Sequence, residues 1–299
     1  MSMFEQLGLF GCGLMGGSFA LALKRAGLVK RVVGFSPSKT TTSRALQMGV
    51  IDQIATSASN AVIGCDLVLI AVPVSATEAS FQAIAQELSS NCLVMDVGST
   101  KSDVLAAAKA ALGKKLVQFV PAHPIAGKEV AGVEHADADL YTGCQVILTP
   151  TDLIDLTDLT DNTQLQQATT LWQALGCKVR HMSATDHDAA FAAVSHLPHL
   201  LAFAFMNGIS SQKQRSEFLD LAGPGFRDFT RIAAGDPKVW RDIFLANSAE
   251  VLAQSQNFRS SLEALERAVL AGDSAAIEAL ISQASHIRAH WSLNGPSIQ

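Results

Sequence analysis

The chain has 299 residues, of which 48% are apolar and 16% are charged, and its formal net charge is −5. This balance predicts a sizeable core in one or two domains and gives no electrostatic support to a nucleic-acid-binding function. No uninterrupted apolar run reaches the roughly 18–20 residues of a membrane span, and the N-terminus lacks the features of a signal peptide. We therefore expect a cytoplasmic protein with no nucleic-acid partner and no membrane partner.

The first 183 residues alternate between short apolar runs and Ala-rich periodic stretches. Strands are predicted at 7–10, 31–35, 67–72, 92–97, 116–120, 146–149 and 178–181, and helices at 18–26, 76–88 and 102–112. Apolar strands that alternate with helices are typical of a parallel sheet covered by helices. This half of the chain is predicted to be an α/β, Rossmann-like dinucleotide-binding domain.

The strand signals stop after residue 183. Helical periodicity covers 185–210, 237–259 and 275–291. We predict an α/β domain at 1–183 and an all-α domain at 184–299. The second domain has few charges in 188–205 and 243–253, and an exposed surface of that kind is unusual in a monomer. The low charge of these two segments therefore predicts a homodimer formed through residues 185–299.

The five cysteines stand singly at positions 12, 65, 92, 144 and 177. They form no C-x-x-C pair and show no spacing typical of a metal site. We interpret them as small buried thiols in a reducing cytosol, and we predict no metal.

A glycine-rich loop follows the first predicted strand and opens the first helix. It reads G-x-G-x-x-G, with Gly11, Gly13 and Gly16 at the glycine positions and Leu14 and Met15 between them. In this context the glycines permit a tight turn, and the backbone N–H groups approach the pyrophosphate of a dinucleotide. The alternative is a glycine-rich turn that binds nothing.

The end of the second strand bears on the choice of cofactor. An NAD-specific protein places Asp or Glu about 20 residues after the loop, where it binds the ribose hydroxyls. Here the position holds Ser36, and Ser38 and Lys39 follow. Hydroxyls and a cation favour a 2′-phosphate, so the cofactor is predicted to be NADP or NAD, with a preference for NADP. A turn indifferent to the cofactor is the alternative.

Polar or turn residues follow three further strands. They are Val72 and Pro73, Ser99, and His123, which stands between Ala122 and Pro124. Ligands of open α/β sheets bind outside the carboxyl ends of the strands. We therefore expect these residues to converge near the nicotinamide end of the dinucleotide.

Several longer motifs carry a specific resemblance. They are GCGLMGGS at 11–18, DVGSTK at 96–101, HPIAG at 123–127, SHLPH at 195–199, FTRIA at 229–233 and DPKVWRDI at 236–243. In this order they resemble the prephenate/arogenate (cyclohexadienyl) dehydrogenase family of tyrosine biosynthesis. The resemblance implies oxidative decarboxylation of prephenate or arogenate: hydride passes from ring C4 to NAD(P)⁺, the C4 hydroxyl loses its proton, and CO₂ departs.

The resemblance also implies roles for individual residues. His123 matches the catalytic histidine, and Ser99 matches a serine that hydrogen-bonds near the reacting hydroxyl. Arg231 matches an arginine that binds the substrate carboxylate, His199 faces the substrate, and Glu129 lies in a loop that approaches the substrate side chain.

Other interpretations of these residues stay open. Ser99 is also a candidate helix N-cap, and Arg231 a candidate for a structural salt bridge. His196 either binds substrate or ties its helix to the α/β half. His196 and His199 stand three apart, but no cysteine or Glu-x-x-His partner supports a metal site there.

Three rival functions share parts of this pattern. A β-hydroxyacid or 6-phosphogluconate-type dehydrogenase would need a catalytic lysine on the helix at 185–210, which has none. A pyrroline-carboxylate reductase would leave HPIAG unexplained. A dinucleotide-binding regulator without catalysis would be expected to lack His123, Ser99 or Arg231, and all three are present. From the length of the chain we expect neither a fused chorismate mutase nor a ligand-sensing module.

Overall fold

A six-stranded parallel sheet forms the centre of the first part of the chain. A computed structural model describes residues 2–128, 130–151 and 162–292. The sheet order is β3-β2-β1-β4-β5-β6, which is the strand order of a dinucleotide-binding Rossmann fold. The strands are β1 (Phe4–Phe10), β2 (Val29–Phe35), β3 (Gln53–Ile54), β4 (Leu67–Ile70), β5 (Leu93–Asp96) and β6 (Phe119–Val120).

Four helices connect these strands. They are α1 (Leu14–Arg25), α2 (Lys39–Gln47), α3 (Thr77–Ile84) and α4 (Ser102–Leu112). The inner strands are apolar on both faces because helices cover both sides, and Leu7, Leu67 and Leu93 are fully buried.

A smaller sheet adjoins the first. Strand β7 (Ala122–Pro124) is antiparallel to β8 (Gln145–Leu148), which is parallel to β9 (Lys178–His181). Helix α5 (Thr163–Ala174) carries the buried Trp172, whose ring packs 5.0 Å from Phe19 and 5.3 Å from Tyr141. The position of β7 fixes His123 opposite Ile147.

The rest of the described chain is helical. It comprises α6 (Ala184–Phe191), a π-helical turn (Ala192–His196), α7 (Leu197–Ser210), α8 (Arg215–Asp220), α9 (Pro224–Thr230), a 3₁₀ turn (Arg231–Ala234), α10 (Pro237–Ala246), α11 (Ser248–Ala271) and α12 (Ser274–His290). The α/β plus all-α fold class predicted from the sequence is thus confirmed.

The chain forms two compact units, Met1–Ser248 and Ala249–Gln299. Their division lies within α11, whereas the sequence predicts a domain boundary at 183. The secondary structure does change from sheet to helix near 183. The packing does not divide there, because α6 contacts α4 of the α/β half.

Two predicted elements were wrong in extent. Most of the predicted strand at 116–120 is a 3₁₀ turn (Gly113–Gln118), in which the side chain of Gln118 donates to the carbonyls of Ser89 and Ser90. The predicted helix at 237–259 breaks at Asn247, whose backbone leaves the helical region. Among the described elements, the strands β3 and β7 and the helices α2, α5, α8 and α9 were not predicted. The two strands hold two or three residues, α8 and α9 hold six or seven, and α2 and α5 are mostly polar in sequence.

One helical stretch, Ala184–Ser210, is long and apolar enough to cross a membrane by length and composition. No uninterrupted run was found there because Asp186 and Asp188 near the start, and His196 and His199 in the middle, interrupt the apolar sequence. Its mean hydropathy is 1.5, and 22% of the apolar window is buried. This is weak evidence for a span, since core helices of other proteins have the same length and composition.

A buried ion pair lies between the end of β5 and the start of α4, and hydrogen bonds connect it to β7. The Asp96 carboxylate pairs with the Lys101 ammonium, and both side chains are almost fully buried. The carboxylate also accepts hydrogen bonds from the backbone N–H groups of Gly98 (2.8 Å) and Ala122 (3.0 Å), and Lys101 Nζ donates to the Ala122 carbonyl (3.0 Å). Together these bonds fix the residue that precedes His123.

We expect Lys101→Met to lower the free energy of unfolding by about 3–5 kcal/mol, because it leaves the Asp96 charge buried without its cation. The double variant Asp96→Asn with Lys101→Met should recover part of this loss, since no charge then remains. Urea unfolding followed by circular dichroism measures both. A single variant as stable as the parent protein would contradict this account.

Candidate active site

The glycine loop forms a cradle with space for a phosphate. Gly11 has a φ of +85°, and a Cβ there would lie 2.2 Å from the Ala71 carbonyl oxygen. A Cβ on Gly16 would lie 2.2 Å from the Gly11 oxygen, while at Gly13 no atom lies within 4 Å of a Cβ position. The loop therefore excludes side chains where the backbone packs and stays open where Gly13 begins α1. This shape fits the pyrophosphate of a dinucleotide.

The other cofactor candidates border the same sheet edge. Leu14 and Met15 are the first residues of α1. A Cβ on Gly11 would lie 3.2 Å from the backbone nitrogen of Val72, which shows how close the two loops are. Pro73 follows as an exposed residue.

The turn after β2 presents hydroxyl groups and a cation. Ser36 lies at the end of the strand, and its Oγ accepts a 3.3 Å hydrogen bond from the Ser38 N–H. Ser38 caps α2 through a 3.2 Å bond from the Thr41 N–H. Lys39, the first residue of α2, is exposed. The described turn offers no carboxylate to a ribose.

His123 lies in β7 with its ring partly buried. Its Nδ1 is 2.8 Å from Nε2 of His187, and the Phe191 ring packs 4.7 Å from the imidazole. Burial lowers the pKa of His123 well below its usual value, and the positive charges of neighbouring His187, Lys101 and His196 would lower it further. The imidazole is therefore neutral at neutral pH.

The partner of His123 is a residue that the sequence analysis did not single out. His187 is fully buried, and its Nδ1 lies 2.8 Å from Oδ1 of Asp188. Burial lowers the pKa of His187, and the hydrogen bond to Asp188 opposes that effect. A histidine in the plain sequence DHD shows no motif, so its role was visible only in the fold.

Asp188 connects this pair to the sheet. Its carboxylate accepts hydrogen bonds from the N–H groups of Lys101 (2.9 Å) and Ser102 (2.8 Å) at the start of α4. Burial alone would raise the pKa of Asp188, but the hydrogen bonds from His187, Ser102 and Lys101 outweigh it and lower the pKa. The carboxylate is therefore ionised.

His196 lies in the π-helical turn and is buried. Its Nδ1 is 3.2 Å from Nδ2 of Asn247, which also donates to the Asp188 carbonyl at 2.8 Å. Burial lowers the pKa of His196 to about 4, although the nearby Asp188 charge favours protonation. These contacts hold His196 within the helical segment, and its interaction with the Ser99 backbone, which favours the protonated form, connects it to the α/β half, which was one of the two interpretations of this residue.

The remaining substrate candidates lie further along the helical segment. His199 stacks on Trp240 with ring centroids 3.5 Å apart, and its Nδ1 is 3.0 Å from the Ser195 carbonyl oxygen. Arg231 begins the 3₁₀ turn that contacts α7. Glu129 lies outside the described residues.

Ser99 lies in the loop between Asp96 and Lys101 and is partly buried. The structure thus brings Ser99, His123 and His196 to one edge of the sheet, through the contacts of Lys101, Asp188 and Asn247. No sequence pattern had singled out the other members of this group, which are Asp96, Lys101, His187, Asp188 and Asn247. Two of these, Asp96 and Lys101, stand in the DVGSTK motif, where charges directly after an apolar strand were an available signal.

Among the described residues, the cysteines and the possible metal ligands form no second candidate site. All five cysteines are free, four of them buried, and burial raises the pKa of Cys12 to about 12. Within residues 2–128, 130–151 and 162–292, no three His, Cys, Asp or Glu side chains form a group able to hold a metal ion.

Comparison with protein families matches nearly the whole chain. Residues 19–181 match the family described as "Prephenate dehydrogenase, nucleotide-binding domain", and residues 183–283 match "Prephenate dehydrogenase, dimerization domain". A cyclohexadienyl dehydrogenase of Zymomonas mobilis is 31% identical over 275 residues, which is 91% of each chain. A prephenate dehydrogenase of Bacillus subtilis is 36% identical over 250 residues, 82% of this chain and 64% of that protein.

Solved structures agree. Prephenate dehydrogenase from Aquifex aeolicus, in complex with hydroxyphenyl propionate and NAD⁺, superposes with a TM-score of 0.87 at 34% identity and covers 97% of this chain and 98% of its own. Synechocystis arogenate dehydrogenase gives a TM-score of 0.80 at 25% identity, with 96% of this chain and 100% of that chain covered.

The lowered pKa of His196 predicts a loss of stability in mild acid. The unfolded chain binds a proton near pH 6.5, while the folded protein excludes it until about pH 4. Lowering the pH from 6.5 to 5 should therefore reduce the free energy of unfolding by about 2 kcal/mol through this residue. Urea titrations at several pH values measure the loss.

The control for this prediction is His196→Gln. It removes the titrating group, so its free energy of unfolding should change less over the same interval. His123 and His187 titrate in the same sense in both proteins. Equal pH dependence in the two proteins would show that His196 is not the group responsible.

Proposed function

The chain belongs to the prephenate/arogenate dehydrogenase family, and we propose which of its residues carry that family's reaction. It is an NAD(P)-dependent oxidoreductase that carries out oxidative decarboxylation of prephenate or arogenate, to 4-hydroxyphenylpyruvate or tyrosine. The one observation that carries the assignment of residues is a neutral imidazole, His123, at the edge of a dinucleotide-binding sheet.

The dinucleotide supplies the hydride acceptor when it is bound. The chain's part is to hold it: Gly13, Leu14 and Met15 stand at the start of α1, where the space beside Gly13 is open, and the N-terminus of α1 adds partial positive charge. Val72 and Pro73 border the loop and would contact the part of the cofactor beyond the pyrophosphate.

His123 acts as the general base. A neutral imidazole accepts the proton of the C4 hydroxyl while hydride leaves the same carbon, and the electrons of the departing carboxylate complete the aromatic ring. Ser99, in the loop after β5, donates a hydrogen bond near that hydroxyl. Its partly buried position in that loop supports this role.

The substrate carboxylates need cations and hydrogen-bond donors. Arg231 would bind one carboxylate through the planar fork of its guanidinium. His199, held against Trp240 with Nδ1 donating to the Ser195 carbonyl, would bind the other as an imidazolium whose Nε2–H donates. His196 is buried against Asn247, and that burial favours support of the site over direct substrate contact. Glu129 remains a candidate for the substrate side chain.

The test of function measures reduction of NAD⁺ and NADP⁺ with prephenate and then with arogenate. We expect turnover with at least one substrate, and His123→Asn should lower kcat by about 10²–10⁴-fold because the base is gone. Dinucleotide affinity should survive. The matched control is His135→Asn, an exposed histidine. Full activity of His123→Asn would remove His123 as the base.

The preferred cofactor is NADP. Ser36 and Ser38 replace the carboxylate that would repel a 2′-phosphate, and Lys39 and the start of α2 offer positive potential to it. These features support NADP binding, and NAD would bind through the same loop without the extra contacts.

Ser36→Asp should lower kcat/KM for NADP⁺ by about 10- to 100-fold while leaving the value for NAD⁺ nearly unchanged, because a carboxylate that repels the 2′-phosphate replaces a neutral hydroxyl that can bind it. The matched control is Ser43→Asp, at an exposed position further along α2, which makes the same substitution away from the turn. A strong preference of the parent enzyme for NAD⁺ would overturn the proposal.

A homodimer and a functional boundary near 183 complete the proposal. The family match to a dimerization domain at 183–283 supports both. Large apolar side chains are exposed in the described helical part, including Leu221 (85%), Leu245 (70%) and Leu270 (89%). Such exposure calls for a partner surface. The isolated cysteines, all free, favour the cytoplasm.

Size-exclusion chromatography with light scattering should give twice the 31.5 kDa chain mass. Leu221→Glu, at the most exposed of these positions in the first compact unit, should weaken association if that side chain faces the partner. A monodisperse monomer of the parent protein would contradict the dimer.

A further inference from the structure

His187 and Asp188 are buried, polar and joined to the proposed base, yet neither has a place in cofactor or substrate binding. The two side chains form a chain of hydrogen bonds that runs from Asp188 through His187 to His123. Each link is 2.8 Å long. The protonation state of Asp188 determines which nitrogen of each histidine carries a hydrogen.

Asp188 accepts hydrogen bonds from the N–H groups of Lys101 and Ser102 and stays ionised. An ionised carboxylate has only acceptor sites. His187 Nδ1, which lies 2.8 Å from one of its oxygens, must therefore carry a hydrogen. A neutral imidazole has one N–H, so Nε2 of His187 is an acceptor.

The hydrogen bond between His187 and His123 is the next link, and its donor is fixed in the same way. His187 Nε2 accepts, so the nitrogen 2.8 Å from it, His123 Nδ1, must donate. A neutral His123 then carries its hydrogen on Nδ1 and leaves the lone pair of Nε2 free. That is the form a general base at the substrate hydroxyl requires.

We propose that Asp188 and His187 are positioning residues that select the tautomer of His123 in which Nε2 accepts the substrate proton. This inference rests on the proposed role of His123 as the base. It adds two residues that touch neither substrate nor cofactor and act through the imidazole that does.

The surroundings of the two histidines keep them neutral and aligned. The charged and titratable groups that face it are Lys101 and Asp96 from the β5–α4 loop and strand, and His196 from the π turn. A proton on His187 would add a second positive charge beside the Lys101 ammonium. Phe191 stacks on His187 (4.4 Å, 29°) and packs on His123, which holds both ring planes.

Two substitutions of His187 separate tautomer selection from simple packing. In His187→Gln the side-chain carbonyl oxygen can still accept the hydrogen of His123 Nδ1. In His187→Leu nothing can accept it, although the volume is largely kept. Asp188 is not substituted, because its loss would strand two backbone N–H groups at the start of α4.

We expect His187→Leu to lower kcat by roughly 100-fold, with KM changed only a few-fold, and His187→Gln to stay within about tenfold of the parent enzyme. The acid limb of kcat against pH should move in His187→Leu, because His123 loses the partner that fixes its proton. Circular dichroism and dinucleotide affinity control for folding. Equal kcat and equal pH profiles in the two variants would overturn the proposal.

The tautomer of His123 can also be measured directly, without an activity assay. Nitrogen-15 NMR of histidine-labelled protein, with the His123 signals assigned from His123→Asn, should show Nδ1 protonated and Nε2 unprotonated in the parent protein and in His187→Gln. A hydrogen on Nε2 in the parent protein would overturn the inference even if His123 is the base. Loss of the base assignment in kinetics, with Nδ1 still protonated, would instead remove the proposed function and leave the tautomer in place.

Discussion

The Asp96 carboxylate at the end of β5 is the point on which the geometry of the site depends. It is buried with the Lys101 ammonium, and its oxygens also receive the N–H groups of Gly98 and Ala122. A charge removed from water in this way is tolerable only when every acceptor site has a donor. The requirement fixes the loop that holds Ser99 and the strand that holds His123 against each other. The spacing of the two side chains proposed to act on the substrate, Ser99 and His123, is thus set by a carboxylate that has no proposed contact with the substrate.

The backbone of Lys101 extends this arrangement to the helical segment. Its N–H, with that of Ser102, binds the Asp188 carboxylate, and Asp188 binds His187. The N-terminus of α4 thus receives a negative charge from α6, as the partial positive charge of a helix start favours. Sheet, loop and helix share one hydrogen-bond network, and its histidines are kept neutral by burial while its carboxylates stay charged. The same contacts therefore set both the pKa values of these histidines and the positions of their side chains.

The sequence was sufficient to predict the structural elements that occur in many proteins of this fold. Strands β1, β2, β4, β5 and β8 follow from apolar runs, and β9 was also predicted. The glycine loop follows from its place between β1 and α1. The edge elements β3 and β7 escaped because two or three residues carry no periodicity. His187 and Asp188 escaped for another reason: their neighbours Lys101 and Ser102 stand more than 80 positions away, and no local pattern reports a contact at that separation. The resemblance supplied His123 and Arg231, but their partners had to come from the fold.

The π-helical turn at Ala192–His196 sets the relation between the two ends of one long helix. A π turn holds one more residue than the α-helical turn it replaces, and each residue of an α-helix advances the chain by about 100°. Deleting a single residue inside the turn would restore a regular helix and leave His199, with the surface that stacks on Trp240, turned by only a small angle, because the wider turn had absorbed the extra residue. Deleting one residue from the α-helical parts on either side would instead rotate the rest of the helix by about 100°. The π turn is therefore the place in this long helix where the chain can lose a residue and still present His199 on the same side.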